Sequence, residues 1–230
     1  MKYQDDDEVP TAAGDPMRKR SRLILALDET DEGKALGVVQ EVGDLVDAVK
    51  INWPLILSSS PSIITKVSKM ANVICDFKVA DIPNTNKLIT REAARLGASG
   101  IIVQAFPGPD SVRAVVDASE GMDVFVVTEM SHPGGEEFTA PLAEKFARIA
   151  MDCDATGVIA PATRPDRIKK IRAIVGSKLI LSPGVGAQGG TATSAIFMGA
   201  DHVIVGRTIY ADPHPREAAS RICQEIRALI

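Results

Sequence analysis

A chain of 230 residues with 45% hydrophobic content can bury a sizeable core, and barrels of alternating strands and helices commonly use this length as a single domain. The formal net charge of −4 leaves no basic footprint for nucleic acid and no polybasic patch for a membrane, and one Trp and two Tyr make no platform for stacking bases or sugars. Cys75, Cys153 and Cys223 are widely spaced and outside any metal-ligand cluster, as in reduced, buried cysteines of a cytoplasmic protein; no apolar run reaches membrane-spanning length, and no signal-peptide segment is read at the N-terminus.

The first twenty residues stand apart. Asp5-Asp6-Asp7-Glu8, then Pro10, Gly14 and Pro16, then Arg18-Lys19-Arg20 have little to bury, so the composition predicts a disordered tail over residues 1–20 and a single domain over 21–230. From residue 22 a rhythm sets in. Short β-branched runs fall at 23–27, 48–51, 73–77, 100–103, 124–127, 157–160, 179–181 and 202–205. Helical stretches alternate with them at 32–42, 62–70, 84–96, 111–119, 141–152, 166–175, 193–198 and 215–229. Asp110 reads as an N-cap, Pro165 and Pro215 sit where a helix start tolerates a missing N–H, and Gly97, Gly121, Gly176 and Gly199 follow helices as C-terminal caps do. The strands are continuous apolar runs, as in sheets buried on both faces. Eight alternations predict a (β/α)8 TIM barrel; a doubly wound open sheet is the alternative.

Chemistry-bearing residues end many of these strands, which in a barrel would gather them at one mouth. Asp28 closes the first run and Lys50 sits in the second. Asp76-Phe77-Lys78-Val79-Ala80-Asp81 closes the third, and strand alternation places Asp76 and Lys78 on one face with Phe77 on the other. A surface Asp–Lys pair on an edge strand is the plainer account, but Val73-Ile74-Cys75 is too apolar for an exposed edge. Gln104 ends the fourth strand, and Glu129 and Ser131 the fifth. Pro183-Gly184-Val185-Gly186-Ala187-Gln188-Gly189-Gly190 follows the seventh, a turn whose glycines let backbone N–H groups approach an anion. Gly206-Arg207 follows the eighth and adds a guanidinium suited to phosphate. Loops after the last two strands are the usual phosphate grip of this barrel class. His132, His202 and His214 form no metal triad.

With these segments in hand, the sequence resembles the orotidine 5′-phosphate decarboxylase family, in its archaeal branch. The likeness rests on Leu25-Ala26-Leu27-Asp28, Val49-Lys50, Asp76-Phe77-Lys78-Val79-Ala80-Asp81-Ile82-Pro83, Thr128-Glu129-Met130-Ser131-His132-Pro133-Gly134 and the loop from Pro183 to Gly190. It implies decarboxylation of orotidine 5′-phosphate to uridine 5′-phosphate, the last step of pyrimidine biosynthesis, with no metal or organic cofactor. Asp28, Lys50, Asp76 and Lys78 would form an alternating array in which Lys78 donates the proton to C6, Asp76 lies beside the substrate carboxylate, and Lys50 and Asp28 hold the ribose. Asp81, with Ile82 and Thr85, would reach the neighbouring subunit's site in a homodimer. Ser131 would contact the pyrimidine, and Gln188, Gly206 and Arg207 the 5′-phosphate, beneath a closing loop that includes Pro183, Gly184, Val185 and Gly186.

The physical logic agrees with this assignment: an ammonium fixed beside C6 stabilises the carbanion as charge develops and then protonates it. Gln104, where archaeal relatives more often carry His, and Asn52-Trp53, in place of a Gly-aromatic pair, depart from the family pattern. Two alternatives stand beside this reading. One is a magnesium-dependent sugar-phosphate decarboxylase or aldolase of the same suprafamily, which typically places an acid where Lys50 stands. The other is a barrel that only binds a phosphorylated ligand.

Overall fold

The computed structural model describes residues 20–229. Among them, eight parallel strands close into a barrel in chain order: β1 (Leu23–Leu27), β2 (Ala48–Ile51), β3 (Val73–Val79), β4 (Gly100–Gln104), β5 (Asp123–Val127), β6 (Gly157–Ile159), β7 (Leu179–Pro183) and β8 (His202–Val205). β8 pairs back onto β1 from Leu23↔Val203 to Leu25↔Val205, which leaves no free edge. The (β/α)8 architecture expected from the eight alternations is therefore the one formed, and the open sheet is excluded.

Helices α1 (Glu32–Val42), α2 (Trp53–Ser58), α3 (Ser62–Ser68), α4 (Pro83–Arg95), α5 (Pro109–Asp117) and α6 (Gly134–Phe138) are followed by a 3-10 turn at Ala140–Leu142. Then come α7 (Ala143–Asp152), α8 (Pro165–Val175), α9 (Ala192–Phe197), α10 (Arg207–Tyr210) and α11 (Pro215–Arg227). Three short helices were not expected: α2, α6 and α10, each in a loop at the C-terminal end of a strand. Asp110 is not an N-cap. The chain enters α5 at Gly108, whose φ of 124° suits glycine, and Asp110 lies inside the first turn. Pro165 and Pro215 do open α8 and α11, and Gly97, Gly121, Gly176 and Gly199 all take positive φ after helices.

Two cores result from the strand alternation. Inside the barrel, Ile24, Ala48, Ile74, Phe125 and Leu181 pack with their neighbours. Outside, residues such as Leu25, Val49, Cys75 and Ile101 pack against the helices. Phe125, fully buried, contributes about 2 kcal/mol through its apolar area. Gly100 lies beside its ring, where an added Cβ would fall 3.4 Å from the ring and 3.3 Å from the Asp123 carbonyl. The three cysteines are buried and free, as expected.

The tail expected over residues 1–20 lies outside the described residues except for Arg20. That residue donates from its backbone N–H to Asp47 Oδ2 at 3.0 Å and from its guanidinium to the carbonyls of Asp44 and Val46. Asp47, buried just before β2, also accepts from the N–H groups of Ser21 and Arg22 and from the Ser21 hydroxyl, and lies 3.2 Å from His202 Nε2. Burial would raise its carboxyl pKa, but the His202 contact and these donors outweigh it and hold the group below its ordinary value. The chain is thus fastened at the N-terminal ends of the strands, the face that serves stability in such barrels.

Candidate active site

The opposite ends of the strands open into a chamber of about 290 Å³. Ala26, Ile102, Val127, Ile159 and Ile204 form an apolar floor, each from the inner face of a different strand. Along β2 and β3 the same alternation that buries Ala48 and Ile74 brings Lys50 and Asp76 inward, two residues nearer the mouth.

There the charges meet. Lys50 Nζ lies 2.6 Å from Asp76 Oδ2, and Lys78 Nζ lies 2.8 Å from Asp76 Oδ1. Asp76 and Lys50 are almost wholly buried, whereas Lys78 keeps a third of its side chain accessible. Burial alone would raise the Asp76 carboxyl pKa. The two ammonium groups outweigh that cost and hold it below its ordinary value. Asp28 completes the wall at the end of β1, and its Oδ1 is buried without a hydrogen-bond partner among the described residues. An unpaired carboxylate oxygen facing a chamber is a ready acceptor for a ligand hydroxyl.

Lys78 follows Asp76 on the inner face, with Phe77 packed outward between them, but the register against β4 is irregular here. Cys75 pairs with Ile101 and Val79 with Val103, so four steps on β3 answer two on β4. This bulge sets Lys78 at φ +47°, in the left-handed region that an L-residue with a side chain occupies only when its surroundings hold it there. The expectation that Asp76 and Lys78 meet was correct, and the bulge carries β3 beyond Phe77 to Val79.

The chamber's other wall comes from the later loops. Ser131, Pro183, Gly184, Val185, Gln188, Gly206 and Arg207 all line it, with Gln188 and Arg207 exposed at the rim. Gly186 stands behind them. Its φ is +77°, and an added Cβ would come within 2.4 Å of the Thr208 hydroxyl, so the glycine lets the β7 loop lie against α10. Asp81, Ile82 and Thr85 lie outside the chamber of their own chain. Asp81 is exposed and accepts from the N–H of Ile82, itself 65% exposed. Gln104 is buried below the mouth, its amide 3.6 Å from Met130 Sδ, and exposed His132 stands outside the chamber.

The profile of the orotidine 5′-phosphate decarboxylase / HUMPS family matches residues 21–222. The chain belongs to that family. Curated relatives named orotidine 5′-phosphate decarboxylase include that of Methanococcoides burtonii, 54% identical over 91% of this chain and 99% of the relative. The Pyrococcus abyssi protein of the same name is 51% identical over 89% and 99%. Among solved structures, the Methanocaldococcus jannaschii decarboxylase in complex with the inhibitor BMP superposes with a TM-score of 0.85 at 42% identity, covering 89% of this chain and 97% of the other. The Pyrococcus horikoshii decarboxylase gives 0.83 at 46% identity, covering 89% and 99%.

The sequence reading missed some residues in and around the chamber. Arg164, in the loop before α8, donates from Nε to the buried carboxylate of Glu129 at 2.5 Å and from its terminal nitrogen to the Met130 carbonyl, and so braces the loop carrying Ser131. Thr163 donates to the Ser131 carbonyl at 3.2 Å. Tyr210 of α10 also lines the chamber. The one signal available for Arg164 was Glu129, a carboxylate in an apolar strand end that needs a cationic partner once buried.

Proposed function

We propose that this chain decarboxylates orotidine 5′-phosphate to uridine 5′-phosphate, and that the Lys50–Asp76–Lys78 array performs the step. In the proposed reaction the bond from C6 to the carboxylate breaks, CO2 leaves, and the electron pair stays on C6 in the plane of the ring, where no adjacent carbonyl delocalises it. The Lys78 ammonium stabilises that charge as it develops and then transfers its proton to C6. Asp76 holds the Lys78 ammonium in place and meets the departing carboxylate. Asp28 and Lys50 take the ribose hydroxyls, Ser131 the pyrimidine, and Gln188, Gly206 and Arg207 the phosphate. Gripping the phosphate far from C6 supplies binding energy that orients the array, and the loop from Pro183 to Gly190 closes over it.

The observation that carries this reading is the Lys50 ammonium 2.6 Å from Asp76. A sugar-phosphate enzyme of the suprafamily needs carboxylate oxygens there for magnesium, and an ammonium on that oxygen competes with a divalent cation. The bare binding-protein reading accounts less well for a buried carboxylate between two lysines, an arrangement that costs stability unless it is used.

The same reading includes a homodimer with shared sites, in which Asp81, Ile82 and Thr85 enter the partner's chamber. Exposed Trp53, Leu57, Ile82, Leu88 and Phe106 support it, since they come from α2, α4 and the loops after β3 and β4 on one side of the barrel. A cytoplasmic location is part of the same proposal. Among the described residues, no helix is long and apolar enough to cross a membrane.

The test is ultraviolet absorbance of orotidine 5′-phosphate with purified protein in chelator. Loss of the substrate chromophore with CO2 release is expected, and Lys78→Ala abolishes it while phosphate-dependent ligand binding persists. Turnover of a sugar phosphate only after magnesium is restored would transfer the chain to the sister activity. For the shared site, equimolar Lys78→Ala and Asp81→Ala subunits, each inactive alone, regain about a quarter of wild-type turnover after exchange, because half the dimers are hybrids with one intact site of two. No recovery, with hybrids demonstrated, refutes the sharing.

A further inference from the structure

We propose that Trp53 is a positioning residue for Lys78, acting through the Phe77–Lys78 backbone. The inference rests on the decarboxylase reading and extends it to a side chain outside the chamber. Trp53 opens α2, where Asn52 Oδ1 accepts from its backbone N–H at 2.7 Å and Pro54 follows. Its indole stacks on the Phe77 ring, with centroids 4.8 Å apart and planes 25° from parallel, and its Nε1 donates to the Phe77 carbonyl at 3.4 Å. Phe77 is the residue immediately before Lys78, inside the bulge where the β3–β4 register breaks.

These facts meet a specific need. Lys78 sits at φ +47°, a conformation that relaxes unless the flanking backbone is restrained. On the chamber side, among the described residues, Lys78 is held through its own ammonium on Asp76, the group that must give up its proton. Trp53 restrains the other side of the peptide, from a different element and without touching the substrate chamber. The longer bond to the Phe77 carbonyl is weak at 3.4 Å, so the ring stack carries most of the restraint. Holding a reacting group within tenths of an ångström matters because a displacement near 1 Å can cost about a hundredfold in rate. At 44% exposure, Trp53 belongs to neither core, so its truncation leaves no large cavity and the fold survives.

The experiment compares Trp53→Ala, Trp53→Phe and Phe77→Leu with wild type on orotidine 5′-phosphate, at protein concentrations where all four elute identically on gel filtration. Trp53→Ala is expected to lower kcat about tenfold with KM changed less than about twofold, the split that marks loss of transition-state alignment rather than of binding. Trp53→Phe keeps a ring over Phe77 and retains at least about a third of wild-type kcat, and Phe77→Leu reproduces the alanine loss by removing the stack from the other side. Unchanged kcat in Trp53→Ala, a loss confined to KM, or a Trp53→Ala loss that Trp53→Phe does not restore would each overturn the proposal. Wild-type protein inactive on this substrate would instead overturn the decarboxylase reading itself, and Lys78→Ala run in parallel keeps the two failures apart.

Discussion

Replacing Lys78 by glycine and by alanine separates the chemistry of its side chain from the strain of its backbone. Both variants lack the ammonium, so both lose turnover and the same partly exposed ion pair to Asp76. They differ at φ +47°. An L-residue with a Cβ pays about 1–2 kcal/mol to occupy the left-handed region, whereas glycine occupies it freely. Against this, glycine gives the unfolded chain about 0.4–1 kcal/mol more entropy to lose. The difference leaves Lys78→Gly more stable than Lys78→Ala by about 0.8 kcal/mol, a Tm higher by about 2–3 °C for a chain of this size. Paired thermal melts followed by circular dichroism, in one buffer at pH 7, measure it. If alanine equals or exceeds glycine in Tm, the bulge does not store strain at the reactive lysine, and the account of its geometry fails.

Acid unfolding should draw on Asp47 and Asp76, whose carboxyls are held below their ordinary pKa in the folded chain. Their stabilisation is fully present above the unfolded value near 3.8 and is lost as pH falls through the lower folded values, so urea midpoints drop from about pH 5 downward; in Asp47→Asn that acid dependence flattens, and an unchanged slope would speak against the linkage. Arg164→Ala leaves buried Glu129 with Arg167, 3.8 Å away, as its ion-pair partner among the described residues, and is expected to cost about 3 kcal/mol in denaturant unfolding, with lost turnover from a loosened Ser131 loop. A variant as stable as wild type refutes that role. Gly157→Ala forces a Cβ to within 2.3 Å of the Leu179 carbonyl in the next strand, so β6 and β7 must part and the protein loses at least about 2 kcal/mol. A normal melt would show that the barrel yields there.

What the sequence made legible follows from how each feature is encoded. The eight strands were readable because each is buried on both faces and so appears as an uninterrupted apolar run. The mouth was readable because chemistry-bearing residues close many of those runs at their C-terminal ends. Asp76 and Lys78 were paired correctly because alternation holds through Phe77, which packs on the outer face, whereas the register shift against β4 is announced by no residue type between Cys75 and Val79. Helices α2, α6 and α10 have four to six residues, too few for a helical period to emerge. Asp110 was misplaced because a glycine with positive φ and a following proline had already started the helix. Arg164 escaped notice because its partner Glu129 lies 35 positions away, and tertiary pairing at that separation leaves no local pattern.

The Asp47 clasp gives the barrel a practical polarity. Arg20, Ser21 and Arg22 are all tied to one carboxylate at the foot of β1, while the chamber opens at the far ends of the strands. A surface linker or fusion partner joined ahead of Arg20 therefore meets the barrel on the face turned away from the mouth. Immobilised through that junction, the protein would present its chamber outward, and substrate would reach it without passing the support.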